Sequence, residues 1–344
     1  WATLIDGRIP EDAARRVMLA SQTASTQPAT ESSASPSAPG TAPSTQSTPV
    51  PATTEGLVVT WSGPMRIRPI DDDLPPELEH DHLSLRLDSD EGTGIAMQAP
   101  DRGFTGQAKS LTYFATRAIA QLEGQPSETG IIKLDVEDTG TLYAESLRAN
   151  LANGQIDMRR RGSIATHSDD PELVASVRWK DRAQIEFAID DSGAITQRLK
   201  SARFEGAAIA EQAGNSVGAR AIHAELNPEL PPASALTQIV LNDGVIASAE
   251  KQTLTGKTVT IDFEPDADPN ASPHPVRVTS IGSSMGRTTD QMLRADDMHA
   301  DLVRDAAGQT RISNARAVGS VNYRDSSRTT ARADELERDH RPEG

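Results

Sequence analysis

LTGKTVTIDF, residues 254–263, and LRADDMHADL, residues 293–302, are written to one template. Each begins with an apolar residue and has a small one two places on: Leu254 and Gly256, Leu293 and Ala295. The next apolar position then comes three places later, at Val259 or Met298, and alternation by two resumes through Ile261 and Phe263, or Ala300 and Leu302. Side chains of a strand alternate between faces, so a spacing of three between inward residues requires a bulge or a corner. A strand that keeps its apolar side inward through such a corner passes from one sheet into another.

The template recurs. Copies begin at Gly106 (GQAKSLTYFA), Leu142 (LYAESLRANL) and Val217 (VGARAIHAEL), before the two above, and a last one begins at Ala331 (ARADELER). Their starts are 36, 75, 37, 39 and 38 residues apart, and the double interval predicts a degenerate copy near residue 179. There VRWKDRAQIEFAI keeps Ala183, Ile185 and Phe187 but carries Lys180 at the small position. Strands rich in small residues and glycine run between the copies, as in RAIAQLEG, IVLNDGVIAS and RISNARAVGSVNY, so each unit reads as a hairpin of about 37 residues. Kinked hairpins stacked in register predict an all-β, multi-repeat, V-shaped β-jellyroll over residues 56–344, solenoid-like in that its length grows with the repeat count. The template turns Leu111, Tyr113, Leu142, Leu147, Leu151, Val217, Ile222, Leu226, Leu254, Val259, Ile261, Phe263, Leu293, Met298 and Leu302 inward. Such rows make either a filled aliphatic core or the wall of an open trough.

Composition narrows the partners. The 344 residues carry a formal charge of −16 and only 3% aromatics, which disfavours phosphate backbones and base stacking alike, so no nucleic-acid partner is expected. Cysteine is absent, which removes disulfides and thiol-based catalysis or metal binding. No apolar run reaches the length of a membrane-spanning helix. The Ser/Thr/Pro-rich segment 21–55 is too poor in large apolar residues to fold and reads as a disordered linker, preceded at 1–20 by a short segment with helical spacing.

The hairpin starts LTGKTVTIDF, LRADDMHADL, LYAESLRANL and VGARAIHAEL, with return strands of the ARAVGSVNY kind, resemble the OstA-like repeat of periplasmic lipopolysaccharide-transport proteins of the LptA and LptC type. The resemblance spans roughly residues 56–340. It implies a non-enzymatic bridge or shuttle of the cell envelope, with lipopolysaccharide-like acyl chains lying against the inward residues named above and no cofactor. It implies further a periplasmic location, with an inner-membrane anchor upstream of Trp1 as one option, and end-to-end strand pairing with other jellyroll transport proteins. The alternative is a structural β-solenoid, a spacer or adhesin with a filled core.

Four other motifs have bland readings that outweigh their chemical ones. GSSMG, residues 282–286, matches the Gly-x-Ser-x-Gly nucleophile elbow, but RTTDQMLRAD after it leads into another strand rather than the helix such an elbow needs. EHDH (79–82) offers too few ligands for a metal and sits among prolines and acids. DADPN (266–270) lacks the glycine and the acidic twelfth residue of a calcium loop. The basic run Arg159–Arg161 reads as a solvated turn or, at a trough mouth, as a contact for a phosphorylated headgroup. No catalytic or metal residue is expected.

Overall fold

The computed structural model describes residues 57–339, apart from short segments at 70–82, 91–93, 101–102, 125–131, 138, 169–173, 213, 250–251, 267–272, 305–309 and 327–329. The segment 1–20, the linker at 21–55, EHDH and most of DADPN lie outside the described residues.

Eight short strands come first: β1 (Val58–Thr60), β2 (Met65–Pro69), β3 (Leu83–Asp88), β4 (Ile95–Ala99), β5 (Phe104–Ala108), β6 (Ser110–Phe114), β7 (Ile119–Glu123) and β8 (Ile132–Val136). Longer ones follow: β9 (Gly140–Asn150), β10 (Gln155–Thr166), β11 (Ala175–Trp179), β12 (Arg182–Ile189), β13 (Ile195–Gln212) and β14 (Asn215–Leu226). The last six are β15 (Leu236–Ala249), β16 (Gln252–Glu264), β17 (His274–Arg287), β18 (Gln291–Arg304), β19 (Thr310–Asp325) and β20 (Thr330–Asp339). All twenty belong to one antiparallel sheet, an all-β hairpin stack in which the two sheets expected from the template are one continuous sheet.

The pairing shows how that sheet is folded. The first half of β9 pairs with β8 and its second half with β7, and the same division holds outward through β5 and β6 to β4 and β3. The sheet therefore has two arms joined along a crease. From β9 onward most strands run through the crease unbroken, while the earlier legs are split into two strands each. The return leg after Phe114 is one such case, since it consists of β7 and β8 rather than a single strand.

The parity break of the template is the crease. Ala144 and Leu147, Ala219 and Ile222, and Gly256 and Val259 flank it three residues apart, and all of these are buried except Gly256, which is half-buried. The residue just past the small position, Arg220 or Lys257, points outward and is exposed. Return strands turn the same corner differently. On β13, Gly206 and Ala207 stand opposite the single residue Arg220, both with positive φ (84° and 52°). Equivalent pairs are Asp243–Gly244 on β15, Gly282–Ser283 on β17 and Gly319–Ser320 on β19. One extra residue per return strand is a β-bulge, which bends the strand and increases its twist. The GSSMG motif is thus a crease bulge inside a strand, without the strand-to-helix turn of a nucleophile elbow.

The degenerate copy differs from its sequence reading. β11 and β12 together form its outward leg, and Trp179 rather than Lys180 holds the inward place before the crease; Lys180 is exposed. An extra residue, Asp181, separates Lys180 from the second half. Gly162 pairs with Trp179, and a Cβ there would lie 2.3 Å from the indole Cζ2, so only glycine fits beside the ring.

Candidate functional site

The inner face of the sheet is the candidate site. Cross-strand pairing lines its residues up in rows parallel to the crease. Just beyond the crease one row runs Ile222, Leu241, Val259, Ser280, Met298, Ala317 and Leu336, from β14 to β20. The next row on that arm runs Ala224, Ile239, Ile261, Val278, Ala300 and Ala315. Nearer the arm's tip come the pairs Leu226 with Leu236, Phe263 with Pro275, and Leu302 with Ile312. On the opposite arm a row runs Val217, Ala247, Leu254, Gly286, Leu293 and Tyr323. None of these positions carries a charge. The rows follow from the template, because a constant unit length brings equivalent residues of successive strands opposite one another.

What fills the space over the rows changes along the stack. In the first part burial reaches the tip of one arm: Leu142 is 0% exposed, Leu147 4% and Met158 0%, and Phe187 and Ile195 near that tip are buried as well, while Leu111, Ile164, Val177 and Leu199 are half-buried. From β14 onward burial retreats to the crease. Ile222, Leu241, Val245 and Val259 are buried, but Val217, Leu226, Ile239, Leu254, Ile261, Phe263, Leu293, Met298 and Leu302 are only half-buried, and Ile312 is 53% exposed. A Cβ on Gly286 would meet nothing within 4 Å. The inner face is less completely covered here.

Of the fifteen inward residues expected from the sequence, Leu142 and Leu147 lie wholly inside the packed part, and Leu111 and Leu151 pack against its core. Tyr113, on the face of Leu111, is half-buried, and that burial pushes its phenol above the ordinary value. The eight from Val217 to Leu302 other than Ile222 and Val259 are half-buried and line the open part, with Val217, Leu254 and Ile261 packed against the edge of the same core.

One polar spot interrupts the floor. Ser280 and Ser284 on β17 are 1% and 2% exposed and hydrogen-bonded to each other through their hydroxyls at 2.7 Å. Mutual pairing avoids the cost of two orphaned buried hydroxyls. Ser280 sits between Val259 and Met298 of the neighbouring strands, at the place that Leu241 and Ala317 hold on the return strands β15 and β19, and the buried hydrophobic clusters on either side do not join across it. Gly256 leaves room for it, since a Cβ there would be 2.3 Å from the Ser280 hydroxyl oxygen. This inward pairing also separates Ser284 from His299, which is exposed and on the outer face beside Thr279 at 3.4 Å. The pieces of a Ser-His-acid arrangement are therefore on opposite faces of the sheet.

The outer surface holds the basic run. Arg160 and Arg161 both reach Glu145, at 3.7 and 2.6 Å, and Arg159 and Arg182 share Asp157, at 3.3 and 2.6 Å. The hydrogen bond to Asp157 holds the Arg182 guanidinium above its ordinary pKa. Carboxylates answer all three residues of the run. Among the described residues no group of three or more His, Asp or Glu side chains is placed to hold a metal ion.

No family model, curated protein or solved structure matches the chain.

Proposed function

We propose that the protein is a non-enzymatic lipid carrier of the cell envelope, a bridge or shuttle that holds the acyl chains of a lipopolysaccharide-like lipid between the arms from β14 to β20. The observation that supports this reading is the half-buried, largely aliphatic inner face of those strands, with no charge in the rows named above and Arg338 and Asp325 only at their continuations. A contiguous apolar surface that stays accessible normally marks a binding site. Each methylene an acyl chain buries there contributes about 0.8 kcal/mol. The resemblance of the repeats to the OstA-like family supplies the lipid class and the periplasmic setting.

The rival reading, a structural spacer or adhesin, is favoured by the packed interior of the first part, which is what a filled solenoid would have throughout. Mass spectrometry of an organic extract of the folded protein separates the two. Lipid is expected in the extract, and the emptied protein is expected to take up a polyene fatty acid with a rise in its fluorescence. A lipid-free extract together with no uptake would overturn the carrier reading.

The edge of β20 gives a second expectation. Among the described residues β20 pairs with β19 alone, which leaves one row of its backbone donors and acceptors without a strand. Such an edge is a template for strand addition, and Arg332, Asp334, Glu335 and Glu337 put charges along it that restrict which strands fit. The carrier pairs end to end here with another hairpin stack, which places the two troughs in line. Size measured over a concentration series should show association that is lost when residues 326–344 are removed. A monomer at every concentration that binds no other hairpin stack would refute it.

A further inference from the structure

We infer that the trough has a closed end: an acyl chain lies along the inner face from β14 to β20 and stops against a plug formed by Trp179 and Phe204, so lipid is loaded and released only on the β20 side. This rests on the carrier reading above and makes the protein a receptacle rather than a through-passage.

The plug is built from both arms. Trp179 ends β11 on one arm, and Phe204 lies on β13 in the other, paired with Ala183 and Ile222. Their ring centroids are 5.6 Å apart with the planes tilted by 40°, and the side chains are 2% and 6% exposed. These two rings in contact join the two arms at the crease. Behind them the interior has the density of a protein core, with Met158 and Leu142 fully buried and Gly162 pressed against the indole. An acyl chain could pass only by displacing packed side chains. Immediately in front, the next strand presents Ala219 at the crease in place of a ring, and the rows open.

The buried cluster continues along the crease past these rings to Val259, whereas burial at the arm's tip ends with Ile195 on β13, the strand that carries Phe204. Among the described residues, the seven strands from β14 to β20 have six intervals, which at strand spacing cover about 29 Å in front of the plug.

Photo-crosslinking of the full chain with a diazirine-bearing palmitate, followed by mass-spectrometric mapping, tests the inference. Adducts are expected on Ile239, Ile261 and Ala300, and none on Leu142, Ile156 or Ile164. In Trp179→Ala the adducts should extend to Ile164, while Trp179→Phe should keep the wild-type map. Adducts on both sides of Trp179 in the wild type overturn the closed end, as does an unchanged map in a Trp179→Ala protein that retains its β-sheet circular dichroism. Should Trp179→Ala not fold, the wild-type and Trp179→Phe maps decide alone. No adducts anywhere would instead overturn the carrier reading, and the closed end with it.

Discussion

Val259→Asp is expected to destabilise the protein by about 3–5 kcal/mol, the range for an uncompensated charge left inside a protein, whereas Thr258→Asp should cost about 1 kcal/mol or less. Val259 is 0% exposed, between Leu241 and Ser280 in the row beside the crease. Thr258, its neighbour in sequence, faces the other way and donates a weak hydrogen bond to the Asn242 Oδ1 at 3.3 Å. Burial in that aliphatic surrounding raises the folded-state pKa of the new carboxyl above its unfolded value of about 3.9. The folded state then binds more protons than the unfolded state between those two values, so stability falls as pH rises through that window and recovers below it. Urea midpoints at pH 4 and pH 8 should thus differ more for Val259→Asp than for wild type. A larger loss at Thr258 than at Val259 would mean that the strand register is wrong by one residue, since such a slip exchanges the two faces.

The second large effect concerns the crease bulge. Gly206 has φ +84°, and a Cβ there would fall 2.5 Å from the backbone nitrogen of Asp181 and 2.3 Å from its Cγ. Gly244 has a similar φ of +72° but nothing within 4 Å. Alanine at either site meets the left-handed penalty of about 1–2 kcal/mol. At Gly206 it also collides with backbone, and overpacking of that kind adds about 1–3 kcal/mol. Gly206→Ala should therefore lose about 2–5 kcal/mol in total, and Gly244→Ala only the first part. Equal losses in urea unfolding would show that the two-residue step at Lys180 and Asp181 does not press on the next strand.

These two sites mark what could and could not be read from the residues. The crease was legible because it imposes the same inequality on every outward leg of the template except β11 and β12: a small residue, then an apolar one three places on. The bulges on the return strands were not, because left-handed backbone is satisfied by Gly-Ala, Asp-Gly or Gly-Ser alike, and Arg160 on β10 adopts it with φ 67° without any glycine. The copy at residue 179 was misread for a related reason. Its extra residue shifts the inward position onto Trp179, a residue the small position seemed to exclude, and the compensation is Gly162 on a different strand. The division into packed and open parts had no local signature, since Leu142 and Leu254 hold the same template position and differ only in how completely the rest of the fold covers them.

The antiparallel pairing gives the stack a unit of growth. One outward and one return leg, about 37 residues, restore the starting direction and the starting face, so a duplication of that size lengthens the molecule by two strand spacings, about 10 Å, and leaves every existing inward residue where it was. A change of one leg would reverse the chain, and a change of one residue within a leg would invert its faces. Length in this architecture is therefore quantised, and variants of it should differ by whole hairpins, with the open part extended or shortened in steps that an acyl chain would register as several methylenes at a time.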